Sequence, residues 1–290
     1  MKGVSMLNRS FDFCVGNAIF VHKIKNKRYM QERHRNRLQY FNEQKESSRI
    51  SVLPYIQKHV PLKPGIRVLE IGCGEAGNLY PFLEAGCECY GVELLEESIR
   101  NANEFYAGNP LKERLHLLSR DIYEVTPEEL GGTFDVIFLR DVIEHIPHQE
   151  KFMKHLKNFM SPDGVAFFAF PPWRNPFGGH QQVCENKWLA KMPYFHILPK
   201  KVYAAILKKG GESQGKINSL LDIKETGLSL NRFKKIIRNE NFKVIEKTHY
   251  LINPNYEIKF GLKTRKVWKI FQIPLLQDLY TTAMYFLLRK

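Results

Sequence analysis

The stretch Val68–Asn78, VLEIGCGEAGN, joins an apolar run to a glycine turn and decides the fold. Gly72, Gly74 and Gly77 fit the G-x-G-x-x-G pattern, in which a parallel strand turns into a helix. Glu93 follows about twenty residues later, where a dinucleotide-binding unit places its ribose-binding acid. The stretch therefore predicts a nucleotide-cofactor site at the end of the first strand of an α/β sheet.

Glu70, two residues before the first glycine, distinguishes between two cofactor chemistries. A carboxylate at this strand end would repel the diphosphate of NAD, whereas it attracts the ammonium and sulfonium groups of S-adenosylmethionine (SAM). Gly72 and Gly74 let the backbone approach a ligand without a Cβ clash, and nearby amides can meet the SAM carboxylate. Glu93 would then accept hydrogen bonds from the ribose hydroxyls. The residues favour SAM, and an NAD-dependent oxidoreductase is the rival interpretation.

Strand and helix patterns alternate through the middle of the chain. Apolar runs predict strands at Arg67–Ile71, Glu88–Val92, Leu115–Leu118, Phe134–Leu139 and Val165–Phe170. Helical spacing predicts helices at Ser47–His59, Gly77–Ala85, Glu96–Phe105, Gln149–Phe159 and Ser229–Glu240. Alternation of this kind is typical of a doubly wound parallel sheet whose ligand lies at the carboxyl ends of the strands.

The end of the chain has a different pattern. Phe242–Ile252 and Ala283–Leu288 are strand-like and need no crossover helix between them, which favours an antiparallel closing pair. We therefore predict a Rossmann-like, doubly wound α/β fold with a seven-stranded sheet, mostly parallel with an antiparallel last strand. Residues 173–226 and 253–280 interrupt the pattern for longer than simple connections, and we predict that they are helical lid insertions.

The length and the charge of the chain limit its possible domain organisation. At 290 residues it can hold one large α/β domain with insertions, and we predict a basic N-terminal helical cap at 1–49 and a cofactor-binding domain at 50–290. The net charge of +14 is concentrated in the flanks: residues 1–50 carry 11 Lys/Arg against 4 Asp/Glu, and residues 186–290 carry 21 against 7. Such flanks attract nucleic acid, anionic lipid or a phosphorylated substrate, or they are solvated helix faces.

The apolar and cysteine patterns exclude several classes of protein. No apolar run approaches the roughly 20 residues that span a bilayer, and we expect a cytoplasmic chain. The five cysteines are scattered without a C-x-x-C pair, so we expect reduced thiols and no zinc site. Glu144, His145 and His148 lie close in sequence, but their spacing also suits a helix cap, and we predict no metal site.

Four segments carry a family resemblance: VLEIGCGEAGN (68–78), GVELLEESI (91–99), SRDIYE (119–124) and FDVIFLRDVIEHIP (134–147). In this order and spacing they resemble the motifs of class I SAM-dependent methyltransferases, above all the small-molecule group of ubiquinone and menaquinone biosynthesis enzymes and glycan and natural-product methyltransferases. The resemblance covers Ser47–Pro172 strongly and the closing strands weakly. It implies SAM as cofactor, S-adenosylhomocysteine as product, and methyl transfer to a hydroxyl or amine of a small-molecule, glycan or lipid-linked acceptor, anionic acceptors included.

The resemblance also implies which residues surround the cofactor. They are Glu70, Gly72, Cys73 and Gly74 at the methionine part, Glu93 at the ribose, Leu94, Asp121 and Ile122 at the adenine, and Arg140 beside the methionine moiety. Ala76 and Gly77 stand where many members place a glycine one residue earlier, which leaves the exact course of the turn open.

A hydroxyl acceptor would gain about 10²–10⁴-fold in rate from a base. His145, in the run after strand four, is one candidate, with a structural hydrogen bond as the alternative. His180, at the end of the Pro-rich run after strand five, is the other, with a surface position as the alternative. Both are therefore hypotheses for the catalytic base.

Four further residues are candidates for substrate contact. Trp173 and Arg174 lie in the Pro-rich run, where they would wall the pocket and hold an anionic group. Tyr194 and His196 lie in the first insertion and either touch substrate or pack the lid.

Other partners and functions stay open beside these. The basic residues within Lys23–Arg37 could contact RNA phosphates, which makes an RNA methyltransferase the alternative. No appended RNA-binding module or Asn-Pro-Pro-Tyr signature is evident, so we do not expect a nucleic-acid partner. A SAM-binding protein without transferase activity is a further alternative. Lys263–Tyr280 interleaves basic with aromatic residues and could rest on an anionic membrane, or it is a lid or dimer helix.

Overall fold

The computed structural model describes residues 36–274 and 276–290, which form one eight-stranded sheet with helices on both faces. The strands are β1 (Arg67–Ile71), β2 (Glu88–Glu93), β3 (Leu115–Ser119), β4 (Phe134–Arg140), β5 (Met160–Phe170), β6 (Lys243–Ile252), β7 (Arg265–Lys266) and β8 (Ala283–Arg289). Their order is β3-β2-β1-β4-β5-β8-β6-β7. Strands β1 to β5 pair in parallel, and β8 is antiparallel to both β5 and β6. The prediction of a doubly wound, mostly parallel sheet with an antiparallel end is confirmed.

The sheet has one strand more than the seven predicted. Strand β7 is only two residues long and lies in the second insertion, where Lys266 pairs with Tyr250 of β6. Both residues of β7 are exposed. Two exposed residues leave no hydrophobic alternation in the sequence, so this strand exists only through its pairing with β6.

Helices pack on the sheet and fill the insertions. They are α1 (Arg37–Ser47), α2 (Leu53–Gln57), α3 (Tyr80–Glu84), α4 (Glu96–Phe105), α5 (Gln149–Leu156), α6 (Lys187–Lys191), α7 (Lys200–Lys209), α8 (Gln214–Thr226), α9 (Leu230–Asn239), α10 (Asn255–Phe260) and α11 (Gln277–Tyr280). Helix α4 agrees with its predicted bounds. The helix predicted over Gly77–Ala85 divides into a 3₁₀ turn at Gly77–Leu79 and α3, and α3 begins with Pro81 in its first turn, where proline is tolerated.

The N-terminal helical run is longer than the sequence pattern indicates. A π-helical segment, Ser48–Val52, joins α1 to α2, so the chain is helical from Arg37 to Gln57 rather than from Ser47. Helix α1 lacks strong amphipathic spacing, which is why its start gave no clear signal. The predicted boundary at 49/50 lies inside this run and stays a prediction, and residues 1–35 of the predicted cap lie outside the described residues.

Two hydrophobic clusters cover the two faces of the sheet. Successive residues of β5 point to opposite faces, so Phe168 packs with Phe233 of α9 while Phe167 packs with Tyr285 of β8. All of these side chains are buried, as expected for a central strand that is covered on both sides. The core thereby fixes the ends of the strands at the carboxyl edge of the sheet.

Both insertions follow strands at the carboxyl edge of the sheet. The first contains α6, α7 and α8 and has its own small core, which includes Leu189, Phe195, Tyr203, Leu207 and Leu220. The second contains α10, β7 and α11. No described helix combines the length and the apolar character needed to cross a bilayer.

Candidate active site

The glycine loop after β1 leaves open space at one glycine and is tightly packed at another. Gly72 and Gly74 have φ values of 73° and 55°, in the left-handed region that favours glycine. A Cβ on Gly72 would lie 2.6 Å from Cγ2 of Val142, whereas a Cβ on Gly74 would meet nothing within 4 Å. Gly72 therefore packs the loop against the segment after β4, and Gly74 presents bare backbone to any ligand in the loop.

Glu70 supplies a buried carboxylate beneath this loop. Its side chain is 1 % exposed, and Oε1 accepts a hydrogen bond of 2.7 Å from Nδ2 of Asn78. The other oxygen, Oε2, is buried and accepts no hydrogen bond from the described residues. Burial raises the pKa of Glu70 well above its usual value. A buried acceptor of this kind fits a cationic group of a ligand, such as the ammonium of SAM.

Glu93 joins the end of β2 to the glycine loop. Its Oε2 accepts a hydrogen bond of 3.0 Å from the Gly74 amide, and its Oε1 accepts one of 3.0 Å from the Leu95 amide. Each oxygen keeps a second lone pair, which a ribose hydroxyl can use. Leu94 is 47 % exposed beside it and offers an apolar surface to a flat ring.

Asp121 and Ile122 lie at the next strand end, because Glu93 pairs with Ser119 of β3. The Asp121 carboxylate caps a short 3₁₀ turn by accepting a hydrogen bond of 2.9 Å from the Tyr123 amide, and Ile122 is 8 % exposed. Cys73 differs from its neighbours, because its side chain is fully buried and points toward Gly91 of β2. The thiol of Cys73 is therefore turned away from any ligand in the loop.

Arg140, at the end of β4, belongs to a buried chain of hydrogen bonds. Its guanidinium donates to Oδ1 of Asn78 at 2.7 Å and to Oγ of Ser47 at 2.5 Å. Ser47 in turn donates to Oδ1 of Asn255. Together with the Asn78–Glu70 bond, this chain links β1, β4, α1 and α10. We call it the Glu70–Asn255 relay, and all five of its residues are buried.

A polar cleft lies beside the relay, between α1, α10 and the end of β4. Its lining is Tyr40, Glu43, Gln44, Ser47, Arg140, Asp141, Asn255, Ile258 and Lys259. Asp141 is exposed and has a φ of 56°, which is a strained conformation for a residue with a Cβ. Burial raises the pKa of Tyr40 to about 12, so its hydroxyl stays protonated at neutral pH. The cleft adjoins both the relay and the segment after β4.

The two predicted bases lie together in the structure. The His145 and His180 rings are perpendicular, with their centroids 4.8 Å apart. Burial, followed by repulsion from His180, lowers the pKa of His145 to about 3. Burial also lowers the pKa of His180, and the nearby Asp141 opposes this effect. Both imidazoles are therefore neutral at pH 7.

Glu144 completes this cluster. It is 5 % exposed, and neither of its carboxylate oxygens accepts a hydrogen bond from the described residues. Burial, followed by repulsion from Asp141, raises its pKa well above the usual value. Ligand atoms of Glu144, His145 and His180 lie within 4.8 Å of one another, whereas the exposed His148 is not part of the group. The absence of a resident metal ion stays a prediction.

The four predicted substrate residues lie in or beside the first insertion. Trp173 packs edge-on against His196, with ring centroids 4.7 Å apart, and Nε2 of His196 lies 2.8 Å from the Trp173 carbonyl oxygen. His196 is fully buried, and the Tyr194 hydroxyl donates to the Leu279 carbonyl at 2.9 Å. Arg174 is exposed. His196 thus holds the insertion together, and the contact of all four with substrate stays a prediction.

Comparison with known proteins identifies the family of this site. A family model described as a methyltransferase domain matches residues 25–209. The ubiquinone biosynthesis O-methyltransferase of Acinetobacter baylyi is 23% identical over 218 residues, which are 74% of this chain and 82% of that protein. The chain belongs to the methyltransferase domain family.

Further relatives agree with this assignment over shorter ranges. The mitochondrial ubiquinone biosynthesis O-methyltransferase of Bos taurus is 27% identical over 124 residues, which are 42% of this methyltransferase and only 33% of the bovine protein. A crystal structure of a putative sarcosine dimethylglycine methyltransferase from Galdieria sulphuraria has the same fold, with a TM-score of 0.54, 13% identity, and coverage of 84% of this chain and 85% of that one. The predicted small-molecule SAM-dependent family is confirmed, and the cofactor is SAM.

SAM fits the residues of this methyltransferase. Glu70 and the open backbone at Gly74 would hold the methionine part, and Glu93, Leu94 and Asp121 would hold the nucleoside. Bound SAM supplies a methyl group that its sulfonium activates. The individual contacts stay predictions.

Sequence reasoning missed two members of the site. Asn78 stands inside the opening motif, yet its role appears only from its bonds to Glu70 and Arg140. Ser47 gave no signal beyond its position, because a hydrogen bond to the distant Arg140 leaves no local pattern. Their discovery required the fold.

Proposed function

We propose that this methyltransferase transfers a methyl group to a hydroxyl, or next to an amine, of a small-molecule, glycan or lipid-linked acceptor. The observation that supports this most is the pair His145 and His180, which burial keeps neutral beside the strand ends that carry the cofactor loop. A hydroxyl acceptor must lose a proton, and a neutral imidazole is the side chain suited to accept it near pH 7. The ubiquinone O-methyltransferase relatives support a hydroxyl over an amine.

The residues of the chain would contribute positioning and proton transfer. His180 would take the proton from the hydroxyl of the acceptor molecule. His145 would orient the His180 ring or act as the base in its place. The insertions would exclude water, and Arg174 would hold an anionic group of the acceptor. Positioning of this kind supplies about 7–11 kcal/mol of rate acceleration in favourable cases.

The location and further partners are part of the same proposal. We place the chain in the cytoplasm, which fractionation of the expressing cells tests. A peripheral membrane contact would bring lipid-linked acceptors to the site. A binding site for nucleic acid is not part of the proposal, and substrate affinity that does not depend on salt would agree with that.

Cofactor choice is tested by thermal unfolding with SAM, S-adenosylhomocysteine or NAD. A ligand at 100 times its Kd stabilises a protein by about 2.7 kcal/mol. We expect stabilisation by SAM and S-adenosylhomocysteine. Stabilisation by NAD alone would contradict the proposal.

Transfer is tested by release of S-adenosylhomocysteine across phenolic, glycan, lipid-linked and amine acceptors, with and without EDTA. We expect turnover with a hydroxyl acceptor that EDTA does not change. SAM binding without turnover on any acceptor would favour a SAM-binding protein without transferase activity.

A further inference from the structure

The second insertion exposes a segment that is both basic and apolar. Residues 258–276, which we call the basic segment, contain five Lys/Arg and no Asp/Glu. Eight of its apolar side chains are at least 38 % exposed: Ile258, Phe260, Leu262, Trp268, Ile270, Phe271, Ile273 and Leu276. Contiguous apolar exposure of this kind marks an interaction surface.

The fold holds these side chains outward. Strand β7 pairs with β6, and the Val267 amide donates to the His249 carbonyl at 2.9 Å, which turns the Val267 side chain inward to 7 % exposure. Trp268 and Ile270 follow at 72 % and 73 % exposure. The Trp268 and Phe271 rings stack with centroids 6.3 Å apart. The outward apolar face is therefore built by backbone pairing.

Charge selects the kind of partner. Lys263, Lys266 and Lys269 are exposed among the apolar side chains. The carboxylate of Glu257 accepts a hydrogen bond from Thr264, and the surface still carries an excess of positive charge. A second copy of the chain would bring the same cations together in a two-fold contact, which is repulsive. An anionic bilayer instead attracts the lysines, and its interface accommodates Trp and Phe rings at headgroup depth.

We propose that this protein binds to an anionic membrane surface through the basic segment. The segment begins at Ile258 and Lys259, which also line the polar cleft beside Arg140 and Asp141. The cleft thus opens next to the surface that would meet the lipid. An acceptor carried in the membrane would reach the cleft without crossing bulk water, and this last step rests on the proposed function.

The test is co-sedimentation of the full chain with vesicles of phosphatidylcholine alone or of equal parts phosphatidylcholine and phosphatidylglycerol. We expect binding to the anionic vesicles only, weakened by salt. The variant K263E/K266E/K269E should partition at least about 100-fold more weakly, since each cation near an anionic surface contributes about a fivefold attraction and three are lost. The control K63E/K154E/K243E makes the same charge change at exposed lysines outside the basic segment and should bind like the wild type.

A second variant, W268A/F271A, tests the apolar part and should also weaken binding to anionic vesicles. Stabilisation of each variant by SAM shows that it is folded, and vesicle binding is read without turnover, so failure of docking and failure of transferase activity are distinguishable. Equal loss in K263E/K266E/K269E and the control, or no binding by the wild type, would overturn the proposal. So would a dimer that K263E/K266E/K269E dissociates without any vesicle binding, because it would assign the surface to a second copy.

Discussion

Glu70 and Asn78 face each other across the glycine loop, with Oε1 of the carboxylate 2.7 Å from Nδ2 of the amide. The bond occupies one oxygen of a buried carboxylate. The second oxygen, Oε2, accepts no hydrogen bond from the described residues. A buried charge with an open acceptor is costly unless a partner arrives. The loop is therefore built to receive a cation from the cofactor.

Replacing Glu70 by Gln tests this directly. Gln keeps the shape and an oxygen for Asn78 but removes the charge, so we expect SAM affinity to fall by about 10–100-fold, as for a lost charge-assisted bond. The unligated protein should be as stable or more stable, because the burial that raises the pKa of Glu70 also penalises its charged form. Calorimetric titration with SAM measures the affinity, with Glu88→Gln at the amino end of β2 as a control. Unchanged affinity in Glu70→Gln would remove the carboxylate from the cofactor site.

Much of the sheet could be predicted from local patterns. Strand β1 and helix α4 agree with their predicted bounds, because an apolar run and helical spacing are local properties of the chain. Strand β7 could not be predicted, since Arg265 and Lys266 are exposed and become a strand only by pairing with β6. The sequence of two residues does not indicate which distant strand they will pair with.

The candidate site likewise has one part that the sequence predicts and one part that it does not. Glu70, Glu93 and Asp121 lie at or just after the ends of predicted strands, so their common edge follows from the parallel sheet. The Glu70–Asn255 relay does not follow, because Arg140 is 62 residues from Asn78 and 93 residues from Ser47. Contacts between such distant residues depend on how α1 packs over the loop.

The two glycines of the loop should respond differently to a methyl group. Gly74→Ala introduces a Cβ into open space at a φ of 55°, so we expect a stability loss of about 1 kcal/mol and SAM binding at least about tenfold weaker, because the backbone can no longer be approached. Gly72→Ala places its Cβ 2.6 Å from Val142 and should cost about 2–4 kcal/mol. Urea unfolding and SAM titration separate the two effects. Normal SAM affinity in Gly74→Ala would show that the cofactor does not approach this backbone.

The histidine pair makes a prediction about pH. His180→Gln should lower kcat by about 10²–10⁴-fold with SAM affinity unchanged, as expected for removal of a base. The lowered pKa values keep both imidazoles neutral at moderately acidic pH, so wild-type activity should hold from pH 8 to below 6.5, the ordinary His pKa. An acidic limb centred at or above 6.5 would contradict this, and a loss in His145→Gln alone would assign the base to His145.

The lowered pKa of His145 also makes the free energy of unfolding depend on pH, and it determines the direction of that dependence. The pKa of His145 is about 3 in the folded chain, against 6.5 for an ordinary imidazole, so the unfolded chain binds the extra proton first as the pH falls. Stability should therefore be fully present above pH 6.5 and decline toward pH 3. His145→Gln should flatten this decline, which urea unfolding at several pH values measures.

Two arginines of the N-terminal helical run provide a matched pair. Arg37 binds Glu75 in the glycine loop, whose side chain is fully buried, whereas Arg49 binds the exposed Glu84. Arg37→Ala leaves a buried carboxylate without its cation, and we expect a loss of about 1–3 kcal/mol, below the full cost of a broken buried pair because Arg37 is itself 29 % exposed. Arg49→Ala should cost about 0–1 kcal/mol. Since Glu75 lies between Gly74 and Ala76, only Arg37→Ala should also weaken SAM binding. Equal losses of stability in the two variants, with equal SAM affinity, would mean that α1 covers the loop without holding it in place.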